Sequence, residues 1–259
     1  MEDMPAKFNI PSSDPALFEK AARIAKEFVR PYVCGDIVGI VFLGAIARGY
    51  FDRHADIDIA VWKKRGSEIP IDRKFYKIED IEVQVWLADY ESELETPWDM
   101  PKRWTYSQPQ IFHDPQGKTA RLLEEKVPLK PEEKRWLLMS GLTLSEWYVN
   151  RLTRLWVERG NLISAHHMVG QGLIYFFDML FGLNDELVPD MKWRYYCVEQ
   201  LARLPRNFRE RLRETMILNA FTVEELERRK QAFMEMWREA RPEVEAEVRM
   251  TFEEMLEIV

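Results

Sequence analysis

Leu43 to Val61 reads LGAIARGYFDRHADIDIAV, and the order of residue types in it decides how the rest of the chain is read. An apolar, β-branched run from Ile37 to Leu43 ends on Gly44, and a second run, Ile57 to Trp62, starts between two acids. That pattern predicts a strand, a glycine turn and another strand. Asp56 and Asp58 are two residues apart, so the period of a strand aims both at the same face. Side by side they repel unless a cation joins them. A divalent metal meets that need, and magnesium favours one or two carboxylates together with phosphate oxygens over an all-protein cage. A helix starting at the Gly44 turn would point the backbone N–H groups of Gly44 and Ala45 at phosphate oxygens. Arg48 follows within one turn, placed to pair with an acid or with phosphate.

Working outward, Ser12, Ser13, Asp14 and Pro15 form a capping stretch before a helix that runs to about Val29 and stops at Pro31. Its apolar positions need a sheet to pack on. A third strand is expected at Ile81 to Leu87 and a fourth at Gln110 to His113. The loop at Lys63 to Gly66 predicts an antiparallel connection between the second and third runs. From Pro131 onward the pattern is helical, with helices expected to Gly160, over roughly 162–181, 191–204 and 206–219, and from a capping box at Thr222 and Glu225. Pro242 is expected to break that helix and start the last one, through Leu256. The fold class is therefore α+β: a mixed sheet with flanking helices in 1–128, followed by an all-α bundle in 129–259.

Composition narrows the function. With 37 Lys+Arg against 44 Asp+Glu the net charge is −7, and neither half is basic, which disfavours nucleic acid as a partner. No apolar run reaches the roughly 20 residues of a bilayer-spanning helix, and Met1 to Asn9 lacks the pattern of a signal peptide, so a soluble, cytoplasmic protein without membrane partners is expected. Cys34 and Cys197 have no metal-ligand spacing, which argues against a zinc site.

Gly44-Ala45, Arg48-Gly49 and Asp56-x-Asp58 together resemble the signature of the DNA polymerase β-like nucleotidyltransferase superfamily, in which a Gly-Ser turn precedes an Asp-x-Asp pair by a similar distance. A third carboxylate on a later strand belongs to that signature, and Glu82 in Ile81-Glu82-Val83-Gln84-Val85 is the matching position. The C-terminal half, through Leu183-Asn184, Pro189 and Lys192-Trp193, and the segment Phe112 to Pro115 with Gly117 look like aminoglycoside-type nucleotidyltransferases and related uncharacterised proteins.

The resemblance implies a two-domain enzyme whose helical domain binds substrate. It would move a nucleoside monophosphate, AMP from ATP, to a hydroxyl of a small-molecule acceptor and release pyrophosphate. Asp56, Asp58 and Glu82 would hold two magnesium ions, with Glu82 as ligand or base. Gly44, Ala45, Arg48 and Lys192 would contact the nucleotide, in the cleft between domains. Ala45 departs from the family's serine, which leaves a catalytically weak nucleotide-binding or antitoxin-like regulator as the alternative.

Other features have plainer readings. Lys192 with Trp193 also fits a surface lysine beside a core ring. His166 and His167 are adjacent on a helix, point about 100° apart, and cannot share one metal. The arginines between Arg203 and Arg213 fit a solvated, acid-paired face. Trp98, Trp104 and Tyr106 are candidates to stack on adenine or on an acceptor ring.

Overall fold

The computed structural model describes residues 10–259, which divide after Pro128 into two compact units. The first is α+β and the second is helical.

In the first unit, α1 (Pro15–Val29) starts on Asp14, whose side chain accepts from the Ala16 and Leu17 N–H groups, and it buries Ala21, Ile24, Ala25 and Val29. Strand β1 (Ile37–Leu43) leads straight into the short helix α2 (Gly44–Arg48), and β2 (Ile57–Lys63) runs back antiparallel to β1. Then come β3 (Phe75–Ile78), β4 (Ile81–Asp89), α3 (Tyr90–Glu95), α4 (Met100–Thr105), β5 (Gln110–His113) and α5 (Lys118–Lys126). The sheet order is β3-β4-β2-β1-β5.

The register sorts the side chains into two faces. Val41, Leu43, Ala60 and Trp62 share one face with Asp58 and, across the β2–β4 ladder, with Gln84, Trp86 and Ala88. Trp98 and Tyr106 from around α4, with Leu122 and Leu123 of α5, close over much of that face.

The expected antiparallel connection is overturned, because β2 and β4 are parallel. A strand that sequence reading did not find, β3, comes between them along the chain and pairs antiparallel with the outer edge of β4. Its hairpin turns on Glu79 and Asp80, both with positive φ, a two-residue turn whose hand suits a twisted pair of strands. The connection after Lys63 therefore has to pass over to the far side of β4.

The second unit starts with α6 (Pro131–Glu146), which continues through a π turn at Trp147–Leu152 into α7 (Thr153–Glu158). Gly160, φ 72°, ends the run. After it come α8 (Leu162–Leu183), α9 (Met191–Val198), α10 (Phe208–Met216), α11 (Val223–Val248) and α12 (Phe252–Leu256). Helices α6 and α8 approach closely at Gly141, where an added Cβ would sit 2.5 Å from Met179 Cβ and 2.7 Å from the Tyr175 carbonyl oxygen.

Two expectations are corrected here. Helix α9 stops at Val198, where Gln200 and Leu201 N–H groups fold back onto Cys197 and Val198 carbonyls. Helix α11 runs through Pro242 and ends only at Arg249, φ 55°. Pro242 is exposed, so the carbonyl it leaves without a helical donor lies on the solvent side, while Ala240, Val244 and Val248 stay buried on the opposite side.

Candidate functional site

The strand, the glycine turn and the acid pair meet at one point. Gly44 has φ 56°, in the left-handed region, and begins α2 directly at the end of β1. A Cβ on Gly44 would lie 2.1 Å from Asp58 Oδ2, so the carboxylate rests against the bare glycine backbone. Leu43 stands opposite Asp58 in the β1–β2 ladder, and Gln84 stands opposite it in the β2–β4 ladder. Asp58 is thus flanked by the turn on one side and by β4 on the other. Asp56 precedes the first paired residue, Ile57, and by strand alternation shares the face of Asp58.

The loop that delivers the acids is tied down. Asp52 accepts from the His54 N–H at 2.8 Å and from the Ser12 hydroxyl, and these bonds, led by Ser12, hold its carboxyl below the usual range. Phe51 donates to Ser13 Oγ at 3.2 Å, and Asp14 N–H donates to the Phe51 carbonyl at 2.8 Å. The start of α1 therefore braces the segment between α2 and β2.

Arg48 is buried. Its Nη2 donates to the Trp104 carbonyl at 3.0 Å and its guanidinium carbon lies 4.2 Å from the Trp104 ring centroid. Tyr50 is buried beside it, and burial pushes its hydroxyl up to about 12. Arg48 opposes that shift, while Asp58, Asp52 and Asp56 add to it, so one hydroxyl senses the arginine and all three acids. The acid pair and a buried cation thus occupy one electrostatic neighbourhood.

Among the described residues no group of three or more His, Cys, Asp or Glu side chains could hold a metal ion. Glu82 stands, by the β2–β4 register, at the level of Asp56, and its side chain is exposed. The structure therefore does not gather it with the pair into a three-acid cluster. Two hard carboxylates over a bare glycine fit an ion that draws its remaining ligands from water and phosphate, which is the habit of magnesium. Backbone N–H groups in the first turn of α2 have no acceptor within the helix and are suited to phosphate oxygens.

Ala45 is buried and brings no hydroxyl to that turn. Lys192 is exposed in the helical unit at the second position of α9, its N–H bonded to the Asp190 cap at 3.1 Å. Trp98 and Tyr106 are buried with their ring centroids 4.7 Å apart and both pack on Trp62, and Trp104 carries Arg48. Tyr50 was missed by sequence reading, although its place two residues after Arg48 and six before Asp56 was a usable signal.

No family model matches the chain, and no curated protein matches it. Among solved structures it is similar to a nucleotidyltransferase-like protein from Exiguobacterium sibiricum. That likeness has 13% identity and a TM-score of 0.48, covering 89% of this chain and 78% of that one. It is too distant to assign family or activity.

Proposed function

We propose that the chain is a nucleotidyltransferase that moves a nucleoside monophosphate, AMP from ATP, to a hydroxyl of a small-molecule acceptor. The observation that carries this reading is the seating of Asp58 on Gly44, which brings an acid pair and the start of a helix to one point of the sheet. Asp56 and Asp58 would hold magnesium, which when bound supplies charge neutralisation at the phosphates and lowers the pKa of an attacking hydroxyl. The chain's own part is to position. Backbone N–H groups at Gly44 and Ala45 receive phosphate oxygens, and the absence of a side chain at Gly44 keeps Asp58 and a phosphate close. The acceptor oxygen forms a bond to the α-phosphorus as the bond to the pyrophosphate oxygen breaks. The hydroxyl proton passes to a nearby base, for which exposed Glu82 is the candidate on β4, or to water. Arg48 and Trp104 fix the end of α2, so Arg48 acts on the site through its position.

The test is calorimetric titration of ATP with and without magnesium, on the native chain and on a double variant, Asp56→Asn with Asp58→Asn. The expected outcome is magnesium-dependent binding that falls by at least tenfold in the variant. Equal or absent binding in both would sink the metal-site reading. The buried methyl of Ala45, where a serine hydroxyl would add a phosphate contact, favours a second reading, a protein that binds nucleotide without turning it over. Pyrophosphate release over an acceptor panel separates the two.

A further inference from the structure

A cavity of about 710 Å³ lies along β4 from Val85 to Ala88 and reaches Leu43 at the end of β1. That volume lies within the range of small-molecule sites, ~300–1,000 Å³. Its walls include Leu43, Trp86, Ala88 and Tyr106. Leu43 is the ladder partner of Asp58, and Trp86 lies two residues beyond Gln84, the other partner, on the same face. The Tyr106 hydroxyl is raised mainly by burial, then by Glu93 and, last, by Asp58. The cavity therefore extends along β4 and reaches the acid pair through Leu43, the ladder neighbour of Asp58.

We propose that this cavity is the acceptor pocket, and that it takes a planar hydroxylated ring compound bearing an anionic group. The proposal rests on the nucleotidyl-transfer reading.

Three observations set the ligand class. First, the lining sets apolar Leu43, Val85, Leu87 and Ala88 beside the half-buried Trp86 ring, which suits an aromatic ligand. Second, the charges at the rim do not balance. Glu93 is engaged by Lys102 at 2.6 Å and by Trp98 Nε1 at 2.7 Å, and Asp72 by Arg73 at 3.5 Å and the Tyr76 hydroxyl at 3.1 Å. Lys74, also on the rim, has no carboxylate partner among the described residues and stands 5.6 Å from the Trp86 ring centroid. A positive group is thus left over beside an aromatic wall, in a protein whose net charge is −7.

Third, the outer edge of β4 is uncovered there. Its ladder with β3 ends at Phe75–Gln84, and Val85 N–H still reaches the Lys74 carbonyl at 2.8 Å. By strand alternation Leu87 N–H leaves on that same edge, where no strand continues, and Leu87 lines the cavity. A carboxylate or sulfonate would find a backbone donor and an ammonium close together. A polycation such as an aminoglycoside would meet Lys74 and find both rim acids already occupied.

The test uses 6-hydroxy-2-naphthoate as probe, uncharged 2-naphthol as its counterpart, and kanamycin as the polycation, read by probe fluorescence. On the full chain the naphthoate should bind, Lys74→Glu should weaken it at least tenfold while leaving 2-naphthol within twofold, and Trp86→Ala should weaken both. Kanamycin should not displace it. Lys74 is exposed, so its variant keeps the test alive if Trp86→Ala fails to fold. Failure of the naphthoate to bind, indifference to Lys74→Glu, or displacement by kanamycin would overturn the ligand class. Binding should persist in the Asp56→Asn, Asp58→Asn double variant, and on the native chain it should coexist with magnesium-ATP. Mutual exclusion with ATP would make the cavity part of the nucleotide site and overturn the acceptor assignment. Naphthoate binding without any magnesium-dependent ATP binding would instead fault the nucleotidyl-transfer reading while the pocket itself stands.

Discussion

The two units use buried arginine in opposite ways. In the sheet unit Arg48 is turned onto Trp104, and its charge acts on the same buried Tyr50 hydroxyl as those of Asp58, Asp52 and Asp56. In the helical unit Arg229 is equally buried and joins three elements of a scaffold: Nε donates to the Thr215 carbonyl at 2.7 Å, and Nη1 lies 2.9 Å from His166 Nδ1 and 3.3 Å from the His166 carbonyl. An arginine only donates, so Nδ1 must accept, and the imidazole is the neutral tautomer whose Nε2–H donates to the Thr222 carbonyl at 3.0 Å. Other charges of this unit are also matched to each other. Arg211 meets Glu239 at 2.9 Å and Glu235 at 3.3 Å, and Arg203 meets Glu243 at 3.1 Å. The difference lies in what surrounds each arginine: the segment that carries Arg48 also sets Asp58 against a bare glycine, whereas Arg229 ties one helix to its neighbours.

The largest effect that would test this contrast is on stability. Arg229→Leu leaves His166 Nδ1 and the Thr215 carbonyl without their donor, and at about 1–3 kcal/mol for each buried unsatisfied group the helical unit should lose roughly 3 kcal/mol. Urea unfolding measures it. Magnesium-ATP affinity of the folded protein should stay within twofold, and a large loss of affinity would break the contrast.

Gly44→Ala should show the reverse pattern. Placing an L side chain in the left-handed region costs about 1–2 kcal/mol, and the added carbon collides with Asp58. Calorimetry should find ATP binding weakened by more than tenfold. Gly141→Ala, by contrast, should lower unfolding stability by about 1–3 kcal/mol through overpacking and spare nucleotide binding.

A smaller effect concerns pH. Burial, with Arg229 adding to it, lowers the His166 pKa below its usual value. The unfolded state then binds more protons near pH 6, so stability is complete above the unfolded value of about 6.5 and falls as pH drops through the folded one. For one proton the slope is at most about 1.4 kcal/mol per pH unit. Unfolding curves between pH 5 and 7 should show this slope, and His166→Gln should flatten it. The smallest effect is Pro242→Ala on the exposed side of α11. It restores a helical N–H and should stabilise by about 1 kcal/mol or less, because proline also stiffens the unfolded chain.

Much of this was legible in the sequence, for physical reasons. Ile37–Leu43 and Gln110–His113 were found with their bounds because apolar runs between turn residues have strand length and nothing else to become. The place of Asp58 at the start of the second strand was legible too, because the apolar run Ile57 to Trp62 marks where pairing begins. The strand Phe75–Ile78 was not legible, since an edge strand with exposed Phe75, Lys77 and Glu79 beside it has no buried face to mark it. Its absence from the reading is also why β4 was given the wrong direction. Pro242 misled because its local cost is real, while the apolar stripe that carries α11 past it is set by partners distant in sequence. The inward turn of Arg48 onto Trp104 was hidden for the same reason, as 56 residues separate them.

The π turn at Trp147–Leu152 has an effect on everything downstream of it. A π turn holds one residue more than an α-helix does over a comparable rise, so the azimuth of later side chains is shifted by about 100°. The long rod from Pro131 to Glu158 therefore presents two differently phased faces. Before the turn Leu137, Leu138 and Gly141 look toward α8, and after it Trp156 and Val157 meet Ala165, Val169 and Leu226. Removing one residue from the turn would restore a regular helix and swing Trp156 off that cluster. In this rod a single-residue deletion works as a rotation, and the reading frame of the packing is set by one surplus amino acid.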